Sequence, residues 1–538
     1  MTAGPLERRR ANLHRLAGET FDLLVVGGGI VGSGVLLDAA SRGLRAALIE
    51  QDDIAVGTSS RSSRLIHGGL RYLPQLRFPL VREALGERSR LLRLAPHLVR
   101  LEPLLFPVFG ALALRRAFYG AGVLLYDLLG ARRDAGWAGH LTVAQVIDWA
   151  PRLRREGLRG GIVYHDGVED DARLTLAVLR AATSLDAVAS TRLRATGLLV
   201  RGGRVEGVRA VDRLGGGSLE IRARSVVDAT GVWAASDEHP FGRGPRVIPS
   251  RGSHVVLPRS RIPALGGLTV PIPGRLLFML PWAQYWIVGT TDGAWNGPPA
   301  RPRAAAEEVD ELLAGVNRNL DVGLTRDDVI GTYAGLRPLA GETGRGSTSR
   351  MSREHRIERR ADGLVRISGG KYTTYRVIAR QAVDAALGDA ANSHRSRTAN
   401  LPLQGALARP ALNALAVRLS SEDLDARAAR TLVGRHGSEA DGVVRLGREL
   451  GLLGRLTNEA DHLEAEVVHA VRSELALSLD DVLARRMRLA VQLRDRGASI
   501  APRVAELMGR ELGWDDARQA AEVAAYLEQA EAEYGVPS

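Results

Sequence analysis

A short apolar run, Phe21-Asp-Leu-Leu-Val-Val26, passes directly into Gly27-Gly-Gly-Ile-Val-Gly32. Such a run suits a strand of a parallel sheet that is buried on both faces. A helical stretch to Gly43 and a second strand, Arg45 to the acid Glu50, complete the unit. Each part has a physical task. Gly27 makes the tight turn, Gly29 and Gly32 admit a pyrophosphate and a close helix–strand contact, and the helix N-terminus faces the phosphates. Glu50, about 20 residues beyond the glycines, is placed to accept from a ribose hydroxyl. The unit predicts an α/β, Rossmann-like dinucleotide-binding fold, with Gly27, Gly28, Gly29, Ile30, Gly32 and Glu50 at the cofactor. A carboxylate at position 50 repels a 2′-phosphate, which argues against NADP.

Two later segments return to the same place. Ser225-Val-Val-Asp-Ala-Thr-Gly231 is another buried strand that ends in a small-residue turn, and Ser368-Gly-Gly-Lys-Tyr-Thr-Thr374 has the composition of a backbone that closely approaches a ligand. Three separated segments converging on one nucleotide suit FAD better than NAD. The third segment holds Lys371, the one lysine among 73 basic residues. Arginine therefore serves wherever a solvated positive charge is enough, and position 371 needs a compact ammonium that a guanidinium cannot replace.

The bulk numbers exclude much. At 538 residues, three to four domains are expected. No cysteine is present, so there is no disulfide, no thiolate nucleophile and no Cys-ligated metal or cluster. The formal charge of +12 is spread among 61 acidic residues and few aromatics, which argues against nucleic acid. No His/Asp/Glu set has metal-ligand spacing, so no metal is expected. Met1 to Thr20 is polar and Arg-rich and reads as a tail without a signal sequence. The longest apolar stretch, Pro103 to Leu114, is too short to span a bilayer. The expected location is cytoplasmic, peripheral on the inner face of the cytoplasmic membrane. The apolar runs Leu104 to Leu114 and Ala117 to Leu129 would seat an interfacial segment or bury as a helix pair.

Residues 21–80, 160–240 and 330–390 would build the FAD-binding domain. Residues 81–159 and 241–329 would form an inserted antiparallel β-sheet substrate or cap domain, with strands such as Leu277–Leu280 and Tyr285–Gly289. Residues 391–402 read as a linker, and 403–538 as a C-terminal helical domain that shows no chemistry and is the candidate surface for a homodimer. Asp166-Gly-Val-Glu-Asp-Asp171 reads as a turn whose acids cap the next helix.

Thr58-Ser-Ser-Arg-Ser-Ser-Arg-Leu-Ile-His-Gly-Gly-Leu-Arg-Tyr-Leu73 is close to a known signature. With Gly252-Ser-His254, Gly289-Thr-Thr-Asp292, Gly335-Leu-Arg-Pro338 and Gly369-Gly-Lys-Tyr-Thr-Thr374, it resembles the FAD-dependent glycerol-3-phosphate dehydrogenases, of the D-amino-acid-oxidase-like flavoprotein group. The likeness runs from about Phe21 to the C-terminus and is weakest over 103–160. It implies that Thr58, Ser59, Ser60 and Ser63 touch the flavin or its pyrophosphate. Leu65, His67, Gly68, Gly69, Gly231, Gly335, Gly370 and Thr373 would complete the cofactor site. Arg71, Tyr72, His254, Arg337, Arg353 and Lys371 would line the pocket for glycerol 3-phosphate, with His254, Arg337 and Lys371 catalytic. Position 64, commonly lysine in relatives, is arginine here.

The resemblance implies oxidation of sn-glycerol 3-phosphate to dihydroxyacetone phosphate, with electrons passed to a membrane quinone. An oxidase using oxygen, or a flavin-binding protein without turnover, are the alternatives. Forked arginines suit a phosphate dianion. His254, at the head of a strand, is either a base near neutrality or a hydrogen-bonded strand-end histidine. Lys371 would polarise the substrate oxygen or hold the flavin's developing charge.

Overall fold

The computed structural model describes residues 4–69, 77–110, 139–236, 239–242, 247–340 and 355–537. The apolar runs read from the sequence form the centre of a six-stranded sheet. Leu23–Val26 lies between Ala46–Ile49 and Val226–Asp228, all parallel, and Val365–Ser368 and Val188–Ser190 extend the parallel set on either side. Arg356–Arg359 closes one edge antiparallel. Helices Ile30–Ser41, Asp171–Thr183 and Tyr375–Leu387 bury one face, in a core that includes Leu23, Leu36, Leu174 and Ile378. A four-stranded sheet covers the other, with Leu16, Phe21, Leu24, Leu193 and Val208 between the layers. This is the doubly covered parallel sheet that the glycine unit predicts.

A second, ten-stranded sheet stands beside it. It includes Val99–Phe109, Leu158–Glu169, Val247–Pro258, Gly267–Ile272, Arg275–Trp282 and Tyr285–Gly289. The pairings are antiparallel except for Gly267–Ile272 against Val99–Phe109. Gly331–Ala340 pairs with strand Val247–Pro258 from Val247 to Val256, with Gly335 opposite Gly252. Helix Ala306–Asn319 packs its Val309, Leu312, Leu313 and Val316 on this sheet.

The C-terminal domain is helical from Arg409–Glu422 to Asp516–Tyr534, broken by one hairpin, Arg455–Thr457 with Ala460–Leu463. Its core takes in Val256, Ile287 and Tyr333 from the ten-stranded sheet, so the domain packs directly on that sheet. The final helix begins where Asp515 accepts from Arg518 N at 2.8 Å, a side-chain N-cap.

Several expectations are corrected. The N-terminal segment is helix Pro5–Gly18, not a tail: Leu16 is fully buried, and Arg9 pairs with Asp212 at 2.6 Å. Arginine-rich composition hid a helix whose charges find acids and whose few leucines find the core. Leu158–Glu169 and Gly331–Ala340 belong to the ten-stranded sheet, although 160–169 and 330–340 were expected in the cofactor domain. Helix Phe78–Leu94 buries Leu91, Leu92 and Leu94 in the cofactor-domain core, although 81–159 was expected in the cap. In the stretch 391–402, expected as a linker, most positions are exposed and only Thr398 is buried, and the adjoining Leu403 N donates to Leu94 O. Leu104 to Phe109 is the end of a sheet strand rather than an interfacial or helical segment; 111–138 lies outside the described residues. Asp166 to Glu169 are the last residues of strand Leu158–Glu169 rather than a turn, and Asp170 caps the helix, accepting from Arg173 N at 3.1 Å.

Arginine is also more than a solvated charge in this chain. Arg42, Arg61, Arg173, Arg376, Arg485 and Arg488 are among those buried, most against carboxylates.

Candidate active site

The glycine turn, the Thr58–Ser63 loop, the middle of strand Val247–Pro258, where His254 lies rather than at a strand head, and the Lys371 turn line one cavity of about 2060 Å³. At its nucleotide end the turn has no room for side chains. Gly27 has φ 113, and a Cβ there would lie 2.6 Å from Ala229 O; a Cβ on Gly32 would lie 1.9 Å from Gly27 O. Ile30 N, at the start of helix Ile30–Ser41, donates to Ser59 Oγ at 2.9 Å, so the loop sits at the helix's positive end. Glu50 accepts from Gly28 N at 2.6 Å and from Asp52 N at 2.9 Å. Burial nevertheless pushes its carboxyl up to about 7. The backbone donors, the helix end and the acid form a cradle for a dinucleotide.

Gly27, Gly28, Gly29, Ile30 and Glu50 line the cavity, as do Thr58, Ser59, Ser63 and Leu65. His67, Gly69, Gly231, Gly335, Gly370, Lys371 and Thr373 line it too. Gly32, Ser60 and Gly68 stand behind its wall. Gly32 serves the turn, Ser60 O accepts from Arg488 at 2.7 Å, and Gly68 N donates to Asp166 Oδ1 at 3.4 Å. Arg71, Tyr72 and Arg353 fall outside the described residues.

At the other end, the register of two strands brings His254 and Arg337 together. His254 is 2% exposed, stacks on Tyr333 with ring centroids 4.5 Å apart, and has Nε2 2.8 Å from Ser63 Oγ. Burial, with Arg337 and Arg64 adding repulsion, lowers its pKa to about 3, so the imidazole is neutral. Its Nδ1 has no hydrogen-bond partner among the described residues. Arg337 lies over Gly252, where a Cβ would be 2.4 Å from Nη2. It donates to Thr290 Oγ1 at 3.0 Å and to Thr291 O at 3.3 Å, with Asp292 at 3.5 Å. Asp292 also accepts from Ser250 Oγ at 2.5 Å. Lys371 is half-buried at the turn between strand Val365–Ser368 and helix Tyr375–Leu387, on the wall that also carries His254 and Arg337.

Sequence reasoning missed the supports. Glu308, on helix Ala306–Asn319, accepts from Ser253 Oγ at 2.7 Å and Thr291 Oγ1 at 2.9 Å, tying down the neighbours of His254 and the carbonyl under Arg337. In sequence it is one acid among several on an amphipathic helix, and no local signal marks it. The C-terminal domain was read as free of chemistry, yet it reaches the Thr58–Ser63 loop through Arg488.

Folding also gathers His436, His469 and Glu474, whose ligand atoms lie within 4.8 Å of one another. Their sequence spacing concealed this. Arg173 donates into the group, 2.6 Å from Glu474 Oε1 and 3.2 Å from His436 Nδ1, so a guanidinium already supplies the positive charge there.

Known proteins place the cavity in context. The FAD dependent oxidoreductase family profile matches residues 22–384, and that of the C-terminal domain of alpha-glycerophosphate oxidase matches 396–519. Glycerol-3-phosphate dehydrogenase 2 of Mycobacterium tuberculosis is 43% identical over 537 residues, covering 98% of this chain and 91% of that protein. The human mitochondrial glycerol-3-phosphate dehydrogenase is 36% identical over 526 residues, 92% of this chain and 71% of its own. Among solved structures, the FAD complex of the Bacillus halodurans glycerol-3-phosphate dehydrogenase superposes with a TM-score of 0.81 at 28% identity, covering 98% of both chains. A tight glycine turn, an acid for the ribose and a loop seated on the helix end are what FAD requires, and these residues supply them. The chain is a FAD-dependent flavoprotein and belongs to the glycerol-3-phosphate dehydrogenase family.

Proposed function

We propose that the protein oxidises sn-glycerol 3-phosphate to dihydroxyacetone phosphate and delivers the electrons to a membrane quinone. The observation that carries the reading is the pairing, in one cavity with the glycine cradle, of a neutral buried histidine and an arginine. Arg337 presents a forked cation to the phosphate dianion, and Arg71 and Arg353, from segments outside the described residues, would assist. FAD, when bound, supplies the two-electron acceptor for the hydride leaving C2.

His254 takes the hydroxyl proton through Nε2, the nitrogen shared with the Ser63 hydroxyl. Its low basicity is partly the repulsion of Arg337. A phosphate dianion on that guanidinium cancels the repulsion, so substrate binding raises the basicity of the group that must accept the proton. Lys371 holds an ammonium where negative charge develops.

No helix among the described residues is long and apolar enough to cross a membrane. A quinone lives in the bilayer, so this reading requires peripheral contact with the inner face of the cytoplasmic membrane. Anaerobic addition of glycerol 3-phosphate should bleach the flavin, and a soluble quinone should restore its colour. Failure to bleach would sink the assignment. Stoichiometric peroxide in air, with no response to quinone, would make the protein an oxidase instead.

A further inference from the structure

The stretch between Glu50 and His67 carries two contacts of the site, the Ser59 contact to the helix end and the Ser63 contact to His254, on backbone with little regular structure. What holds it is the C-terminal domain, more than 400 residues away in sequence, as the contacts of Asp53 with Arg485 and of Ser60 with Arg488 show. Asp53, fully buried just beyond the ribose acid, accepts from Arg485 Nε at 2.5 Å and from Arg486 Nη1 and Nη2 at 2.5 and 2.8 Å. Arg488 donates to Ser60 O at 2.7 Å and to Asp171 Oδ1 at 3.2 Å. The other oxygen of Asp171 accepts from Ser62 N and Ser62 Oγ at 2.9 and 2.8 Å. Arg61 pairs with Glu533, on the last helix, at 2.6 Å with both side chains almost wholly buried.

One turn of chain, 485–488, therefore grips the loop at the nucleotide end and again beside the flavin serines, and Glu533 clamps the residue between Ser60 and Ser62. We propose that Arg485, Arg486, Arg488 and Glu533 are cofactor-positioning residues, through which the C-terminal domain sets how tightly FAD is retained. The alternative is that these pairs simply glue two domains together. The domain has glue elsewhere: Arg180 pairs with Glu439 at 2.5 Å, on the helix Asp171–Thr183 and away from the loop.

That second pair supplies the control. The rate of FAD release from the diluted holoenzyme is read from the recovery of free-FAD fluorescence, alongside Tm. Glu533→Gln leaves Arg61 buried without its charge partner, and Arg488→Gln releases Ser60 and Asp171; each should speed release about tenfold or more, the scale of losing one buried charged hydrogen bond. Glu533→Asp keeps the charge one methylene short and should fall between these and the wild type. Glu439→Gln should lower Tm and leave release unchanged. Wild-type release from both Glu533 variants, or equal acceleration by Glu439→Gln, overturns the proposal. If Glu533→Gln does not fold, Glu533→Asp decides, and unchanged release from it is enough to reject the idea.

Discussion

Lys371 stands in a chain that uses arginine at every other basic position, including buried ones such as Arg173 and Arg488. Burial and charge alone therefore do not explain why this position stays lysine. Under the proposed function, its place in the cavity that His254 and Arg337 also line does, because a guanidinium there needs more width and cannot adjust its protonation. Lys371→Arg should retain FAD and reduce it about a hundredfold more slowly, the scale for one misplaced electrostatic donor. Anaerobic stopped flow measures that step, and a near-wild-type rate would leave Lys371 without a special role. Arg337→Ala should weaken glycerol 3-phosphate binding by about 2–4 kcal/mol, because a dianion loses its fork. Affinity for plain glycerol should change little, and equal loss for both ligands would assign Arg337 to the fold. Lys371 stood out as the one lysine in a glycine-flanked turn, whereas Arg337, inside strand Gly331–Ala340, was marked only by the family resemblance. The motif around Arg64 was legible too, but not its packing over Trp282 at 3.8 Å, which depends on a strand more than 200 residues later.

Among the elements, the three central parallel strands were legible because each is a short apolar run beside a turn, whereas Val188–Ser190 and Val365–Ser368, the latter carrying Arg366 and Ser368, were not read as strands. The ten-stranded sheet was harder. Its boundary strands, Leu158–Glu169 and Gly331–Ala340, adjoin cofactor-domain segments in sequence but pair elsewhere, and pairing partners leave no local trace. Helix Ala306–Asn319 shows the same limit at a functional level. Its apolar stripe was readable, whereas the reach of Glu308 to Ser253 and Thr291 depends on how the helix lies across the sheet. Glu308→Gln keeps the shape but loses the charge that draws both hydroxyls. With about 1.5 kcal/mol at stake in a hydrogen bond to a charged group, KM for glycerol 3-phosphate should rise roughly tenfold while kcat changes much less. A fall in kcat with KM unchanged would show that Glu308 acts on His254 rather than through Thr291 on Arg337.

At the scale of the whole molecule, domain assembly rests on charge networks that the sequence could not disclose, since their members lie hundreds of residues apart. Arg173 meets Glu474, 301 residues on, where the cofactor domain joins the C-terminal helices, and beside that pair Arg435 and His436 meet Glu466 within the C-terminal domain. Burial works against both carboxylates, but Arg173 holds Glu474, and Arg435 holds Glu466, well below the usual carboxylate range. The histidines there behave oppositely. Burial, with Arg173 adding repulsion, lowers His436 to about 4; burial lowers His97 to about 3 and, with Arg435, His462 to about 3. In the unfolded chain each titrates near 6.5. Between about 6.5 and these lowered values the unfolded state binds protons that the folded state refuses, so stability falls as pH falls. Each histidine should contribute a loss on the order of 1.4 kcal/mol per pH unit within that window. The glutamates contribute in the same direction only below the carboxylate range, because their lowered values keep them charged until then. Glu50, raised to about 7 by burial, holds its proton in the folded state and opposes this loss in the same window. The three histidines outweigh it, so Tm should drop from about pH 6.5 towards 4. His462, with neither ring nitrogen hydrogen-bonded among the described residues, gives the cleanest check. His462→Leu removes one of the refused protons without unpairing a partner, so its Tm should decline less steeply over that window. A variant that tracks the wild-type slope from pH 7 to 5 would place the acid sensitivity elsewhere.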